Sequence, residues 1–226
     1  MISIILIEPE NAGNIGAIAR VMKNFDVIDL ILINPKCNHL DPEANIRAKH
    51  AKDILKKAKV KNFNYLKQFD YLIGTTAILG TDYNVPRTPL TPVELAETIR
   101  GNDGKIALVF GREGQGLRNK EIEICDFIVT IPTSKTYPTL NLSHSVAIIL
   151  YELQKSDRIK EKIRFADKRE KDILLKHIDK AIDGLNFATK EKKATQRYVW
   201  RRFVGKAMLT GREISALFGF FKKLQR

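Results

Sequence analysis

The chain has 226 residues, 44% of them hydrophobic and 29% charged, two cysteines and a formal net charge of +13. That length buries a core without metals or disulfides, and the composition excludes a disordered chain. Cys37 and Cys125 form no C-x-x-C pair, which removes support for a zinc site or a disulfide framework and leaves two reduced thiols in a cytoplasmic protein.

The chain opens on an apolar run, Ile2 to Ile7, which stops at Glu8 and Pro9. It is too short for a membrane span and lacks the basic start of a signal peptide, so it reads as a buried strand. From Asn14 to Phe25, Ile15, Ile18, Ala19, Met22 and Phe25 recur at helix spacing. Val27 to Ile33 reads as a strand closed by Asn34-Pro35. Pro42 to Ala58 follows as a helix with Lys49, Lys52 and Lys56 on its wet side. Tyr71 to Thr75 is a strand, Pro92 to Arg100 a helix with proline in its first turn, and Lys105 to Phe110 and Phe127 to Ile131 are strands. Asn141 to Gln154 closes the series as a helix with Val146, Ile149, Leu150 and Leu153 on its apolar face. Such alternation predicts an α/β fold with a parallel sheet covered on both faces.

Beyond Ser156 only helical patterns remain. Phe165 to Leu185 aligns Leu174, Ile178, Ala181 and Leu185, and Lys193 to Met208 aligns Tyr198, Val199, Phe203 and Ala207. A last helix starts at Thr210, with Glu213 at capping-box spacing and Ile214, Leu217, Phe218 and Phe221 along one face. The expected division is residues 1–155 and a small helical domain of residues 156–226, joined by the charged stretch Lys155 to Lys171. Charge separates the same halves. Residues 1–150 hold 18 basic and 16 acidic side chains (+2), and residues 151–226 hold 21 and 10 (+11). A basic appendage on a nearly neutral domain predicts a polyanionic partner, nucleic acid first; a lysine-rich solvated surface is the plainer alternative.

Chemistry is expected in three loops at strand ends, because ligands of open α/β sheets bind beyond the carboxyl ends of the strands. In Glu8 to Arg20, Gly13 and Gly16 permit close approach. Asn14 is either a helix cap or a site residue, and Arg20 offers a fork for phosphate. Phe110-Gly111-Arg112-Glu113-Gly114-Gln115-Gly116-Leu117 exposes backbone donors and acceptors, yet it matches neither a phosphate loop nor the dinucleotide fingerprint. Ile131 to Ser145 is dense in hydroxyls and ends at a helix start that Thr139 or Asn141 can cap.

In this order, Asn14 to Arg20, Gly111 to Leu117 and Thr139-Leu140-Asn141-Leu142-Ser143 resemble the three motifs of the SPOUT superfamily of methyltransferases. The closer likeness is to its TrmH-like branch and, within it, to the TrmJ type, which methylates the ribose of tRNA nucleotide 32. Gly74-Thr75-Thr76-Ala77 matches a further loop of that type. The stretch from Arg201 through Ala207-Met208-Leu209-Thr210 to Ile214 matches its helical tail, so the resemblance covers nearly the whole chain. One position departs: the motif usually reads Ser-Leu-Asn, and here Thr139 keeps the hydroxyl and adds a methyl.

The resemblance implies a sheet whose C-terminal part is threaded into a trefoil knot, an arrangement chain-path rules make rare. It implies an S-adenosylmethionine pocket lined by Thr75, Thr76, Ala77, Gly111, Gly116, Ile131, Thr139, Leu140 and Asn141. It also implies a homodimer, no metal and no membrane partner, and a catalytic set of Arg20, Asn14, Glu113 and Asn141. Arg20 would lie at the ribose hydroxyl and its phosphate, with the other three holding it and the ribose. Arg197, Arg201, Arg202 and the Lys190–Lys193 cluster would grip RNA, with Tyr198 and Trp200 available for stacking. Ribosomal RNA as substrate, a non-catalytic RNA-binding protein, and a small-nucleotide-binding α/β protein unrelated to RNA are the rival readings.

Overall fold

The computed structural model describes residues 1–77, 89–155 and 164–224. It divides into two compact units, Met1–Arg100 with Lys105–Ile159, and Gly101–Gly104 with Lys160–Arg226.

The first unit is a six-stranded sheet in the order β3-β2-β1-β5-β4-β6, parallel at every pairing. Its strands are β1 (Ile2–Ile7), β2 (Asp29–Ile33), β3 (Lys59–Lys61), β4 (Tyr71–Thr75), β5 (Ile106–Phe110) and β6 (Phe127–Val129). The central strands are near-continuous apolar runs because both sheet faces are covered. Ile5, Ile7, Ile31, Ile33, Ala107 and Val109 pack with Leu66, Phe69, Leu117, Ile122 and Cys125. Ile4, Leu6, Leu30, Leu32, Leu108 and Phe110, of opposite parity, are equally buried. At about 25 cal/mol per Å² of apolar surface removed from water, this double burial dominates the stability of the unit.

The helices of this unit are α1 (Ala12–Asn24), α2 (Pro42–Ala48), α3 (Lys52–Lys57), α4 (Pro92–Thr98), α5 (Asn119–Glu123) and α6 (Leu142–Lys155). Asn11, not Asn14, caps α1, its side chain accepting from the Asn14 N–H at 2.9 Å. The helix therefore starts two residues earlier than periodicity indicates, and the Asn14 side chain is released for other bonds. Gly16 serves packing: a Cβ there would overlap the Ala44 carbonyl of α2. The helix expected over Pro42 to Ala58 is broken at Lys49, which takes a positive φ of 52°, and a 3-10 turn (Lys49–Ala51) separates α2 from α3. The expected face of α6 is buried as read, with Val146, Ile149, Leu150 and Leu153 at 8% exposure or less.

The second unit is a small helical body of α7 (Lys168–Asp183), α8 (Lys190–Lys206) and α9 (Gly211–Lys223). Its core joins Ala166, Leu174, Ile178, Ile182, Val204, Leu209, Ile214 and Phe221. Ala166 N–H donates to the Leu209 carbonyl at 2.7 Å and ties the entry of α7 to the α8–α9 turn. The Thr210 cap forms as its spacing indicates: Glu213 N–H donates to the Thr210 hydroxyl, and the Glu213 carboxylate accepts from the Thr210 N–H. The expected face of α8 is a correction. Val199 and Phe203 are exposed, and the inward residues are Arg202, Val204 and Gly205. Leu185, expected in the core with Leu174 and Ile178, is exposed past the end of α7. Of the expected connecting stretch Lys155 to Lys171, Lys168–Lys171 already belongs to α7, and residues 156–163 lie outside the described residues.

Candidate active site

The carboxyl ends of β4, β5 and β6 open on one cavity of about 320 Å³, within the range of small-ligand sites. Its walls are Thr75–Ala77 after β4, Phe110–Leu117 after β5, and Ile131 and Pro138–Leu142 after β6, with Ser145 and Ile149 of α6 behind them. All nine residues expected to hold the cofactor therefore line this cavity: Thr75, Thr76, Ala77, Gly111, Gly116, Ile131, Thr139, Leu140 and Asn141.

The loop after β5 is a tight turn that glycine makes possible. Arg112 and Gly116 exchange backbone hydrogen bonds of 3.2 and 2.9 Å. A Cβ on Gly111 would overlap the backbone of Gly116 and Leu117, and Gly116 itself takes a φ of +64°. The turn leaves Gly114 and Gly116 facing open space.

Two charged links tie this turn to the end of β1. Arg112, 4% exposed, donates through Nε to Glu8 at 2.8 Å and through both terminal nitrogens to Glu121 at 3.0 and 2.9 Å. Such a forked pair is both strong and directional. Burial pushes the Glu121 carboxyl up, but hydrogen bonds from Arg112 and the Arg118 N–H outweigh it and hold the group below the usual carboxylate range. Glu8 is likewise held low, first by its bond from Arg112. Arg112 is raised further above its already high value by Glu121, against burial, and by Glu8. The second link is Glu113, whose carboxylate accepts from the N–H groups of Glu10 and Asn11 at 3.0 and 3.2 Å.

Glu113 also accepts from Asn14 Nδ2 at 3.4 Å, and Asn14 Oδ1 accepts from Asn141 Nδ2 at 3.1 Å. Asn141 Oδ1 in turn accepts from the N–H and hydroxyl of Ser143. Asn141 is thus both the cap of α6 and a member of the site, a dual role the sequence left as alternatives. Three of the four expected catalytic residues form one chain of hydrogen bonds at the rim of the cavity. Arg20 is not with them. It lies on the exposed side of α1, outside the cavity lining and with no bonded partner among the described residues, because six residues along a helix turn it well away from Asn14.

The expected RNA contacts separate into three environments. Arg201 is exposed. Arg197 is exposed but already paired with Asp179 at 3.5 Å and Asp183 at 2.6 Å, and Lys193 also holds Asp183. Arg202 is only 5% exposed and so is not the surface contact its position in a basic run indicates. Sequence reasoning missed the Glu8–Arg112–Glu121 clamp, since two of its members are distant in the chain and α5, which presents Glu121, is too short to show a period. It also missed Ser145 and Ile149, whose place on the pocket side of α6 only the packing shows. Among the described residues no group of three or more His, Cys, Asp or Glu gathers as a metal site, and no helix is long and apolar enough to cross a membrane.

A glycine turn, a capped helix start and an asparagine–carboxylate chain around a cavity at the carboxyl ends of parallel strands define an RNA methyltransferase of the SPOUT class once set beside known proteins. Residues 1–151 match the SpoU rRNA Methylase family, and the chain belongs to that family. It is 40% identical to the tRNA (cytidine-2'-O-)-methyltransferase TrmJ of Methanocaldococcus jannaschii, over 98% of this chain and 99% of that one. It is 29% identical to the tRNA (cytidine/uridine/adenosine-2'-O-)-methyltransferase TrmJ of Pseudomonas aeruginosa, over 100% of this chain and 94% of that one. The crystal structure of TrmJ from Z. mobilis ZM4 superposes with a TM-score of 0.73 at 26% identity, covering all of both chains.

Proposed function

We propose that the protein methylates a tRNA ribose 2′-hydroxyl at nucleotide 32 of the anticodon loop, using S-adenosylmethionine, as a cytoplasmic homodimer. The observation that carries this reading is the convergence of three separate loops on one cavity with the Glu113–Asn14–Asn141 chain at its rim. The residues present suit the cofactor. Leu117, Ile131, Leu140 and Ile149 offer apolar walls to an adenine ring, while the glycine turn offers backbone groups to its polar edges. The knot that the resemblance implies belongs to this reading, as the chain path that brings residues 111–117 and 131–142 together. The RNA-binding assignment of residues 156–226 rests on their charge and on the names of the full-length relatives.

When bound, S-adenosylmethionine supplies a methyl group on a sulfonium, a leaving group that needs no acid. The protein's share is alignment, worth about 7–11 kcal/mol in well-ordered sites, and management of the hydroxyl proton. A guanidinium is a poor base, so Arg20 acts by gripping the phosphate beside the reacting ribose and orienting the hydroxyl, with removal of its proton shared with that phosphate. Arg20 faces solvent without a partner among the described residues, which suits it to serve a cavity on a second copy, and this is where the homodimer enters. Asn14 and Asn141 fix the ribose, and Glu113 fixes Asn14.

The test is methyl transfer from isotopically labelled S-adenosylmethionine to unmodified total tRNA and ribosomal RNA, followed by nuclease mapping. Label at the ribose of tRNA nucleotide 32 is the expected result. Label confined to ribosomal RNA keeps the chemistry and overturns the substrate; no label in either, with the cofactor bound, overturns the catalytic reading.

A further inference from the structure

Helix α8 carries a row of hydrogen-bond donors that have no acceptor among the described residues. Tyr198, Arg202 and Lys206 stand four residues apart and so lie one above another on a single face. Arg202 is 5% exposed. Its three guanidinium nitrogens and the Tyr198 hydroxyl are enclosed without a hydrogen-bond partner. Lys206 is half-buried; burial first, and then the Arg202 charge, push its ammonium down from its ordinary value, and no carboxylate offsets them. The acids of the neighbouring helix are engaged elsewhere, Asp179 and Asp183 holding Lys193 and Arg197.

A buried guanidinium with no acceptor is costly, and a half-buried ammonium one turn further along adds to the cost. Guanidinium and ammonium can only donate, and a phenol readily does. The complement of such a row is a group made of acceptor oxygens that also carries negative charge. Phosphate fits on both counts, and the arginine fork spans two of its oxygens. With 21 basic against 10 acidic side chains in residues 151–226, the surroundings favour a phosphate of a polyanion.

We propose that Tyr198, Arg202 and Lys206 form a binding site for one phosphate group, occupied in the working enzyme by a phosphodiester of the RNA. The proposal rests on the RNA reading above and deepens it. Arg201 meets RNA loosely from solvent, whereas this row fixes one phosphate at a defined place. The phosphate enters beside the half-buried Lys206, and the enclosed Arg202 guanidinium and Tyr198 hydroxyl turn to meet it.

The test compares full-length wild type with Arg202→Met, Lys206→Met and Tyr198→Phe. Thermal melting is followed in phosphate, acetate and chloride at matched ionic strength, and tRNA affinity is measured across a salt series. Arg202→Met is expected to melt at or above the wild-type temperature in chloride, since it removes an unpaired buried charge. It is expected to lose the rise in melting temperature that phosphate gives the wild type. Its tRNA affinity falls about tenfold, and the slope of log affinity against log salt loses about one unit, while S-adenosylmethionine affinity stays unchanged. Lys206→Met shows the same losses in part, and it and Tyr198→Phe carry the comparison if Arg202→Met does not fold. An unchanged phosphate response together with unchanged tRNA affinity overturns the site. A wild-type rise in acetate equal to that in phosphate overturns the phosphate assignment in favour of a carboxylate. Loss of the phosphate response alone, with tRNA affinity intact, supports the site and overturns RNA as its source. If the wild type binds no tRNA at any salt, the RNA reading falls, and the phosphate melting comparison still decides the site.

Discussion

Asn141 donates from Nδ2 to Oδ1 of Asn14 at 3.1 Å, joining residues 127 positions apart in the chain. The contact links the start of α6 to the first turn of α1, and through Asn14 to Glu113. Asn14 is the middle member, so Asn14→Ala cuts both bonds at once. All three groups are near the surface, and the melting temperature is expected to move little. Methyl transfer under single-turnover conditions is expected to fall about 100-fold, the scale of a misplaced reactant. A rate within threefold of wild type would remove the chain from the mechanism.

Arg20→Ala is expected to abolish methyl transfer and leave S-adenosylmethionine affinity unchanged, because the residue lies outside the cavity lining. Arg20→Lys keeps the charge but not the fork and is expected to recover little of the rate. Isothermal titration with the cofactor, run beside a transfer assay, checks both. Transfer by Arg20→Ala at a near wild-type rate defeats the assignment.

Glu121→Ala breaks one arm of a buried ion pair and leaves Arg112 with Glu8 alone. Removing a partner from such a pair costs about 3 kcal/mol, read as a lower midpoint in urea. Acid acts on the same clamp. Glu8 and Glu121 both have folded pKa values below the ordinary value, so the stability they contribute is fully present above about pH 4.3 and is lost as pH falls through their lowered values. Urea midpoints from pH 6 down to pH 3 are expected to fall less steeply for Glu121→Gln than for wild type. Equal slopes would show that the clamp does not govern acid sensitivity.

On α8, Arg201→Ala is expected to weaken tRNA binding across all sequences and to lower the salt slope by about one. Arg197→Ala has less to lose, since Asp179 and Asp183 already hold that guanidinium. A larger loss at Arg197 than at Arg201, in filter binding at several salt concentrations, would reverse this ranking.

What the sequence made legible follows from how strongly each signal is local. β4 has the same limits from the sequence and in the structure because a short, largely apolar run buried on both sides has few alternatives, and Thr210 and Glu213 form their capping box because both partners lie within one turn. The face of α8 was not legible. Val199 and Phe203 repeat at helix spacing, yet what packs against α8 is decided by α7 and α9, and the inward row runs through Arg202 and Val204 instead. Lys49 shows the same limit on a smaller scale, since no propensity marks a lysine for positive φ. At the site, motif order located the cavity walls. The Arg112 clamp needed the register of β1 beside β5, which sets Leu6 opposite Phe110 and so brings Glu8 within reach.

The cavity draws its walls from Asn14 at one extreme and Ile149 at the other. A chain emerging from the ribosome therefore has its early strands long before it has a complete binding site. Until α6 has emerged, the glycine turn lacks its opposite wall and Asn14 lacks Asn141, so cofactor affinity should appear abruptly and late in synthesis. Ligand capture by ribosome-bound chains of increasing length would thus report completion of the first unit's folding, with nothing bound by the intermediates before it.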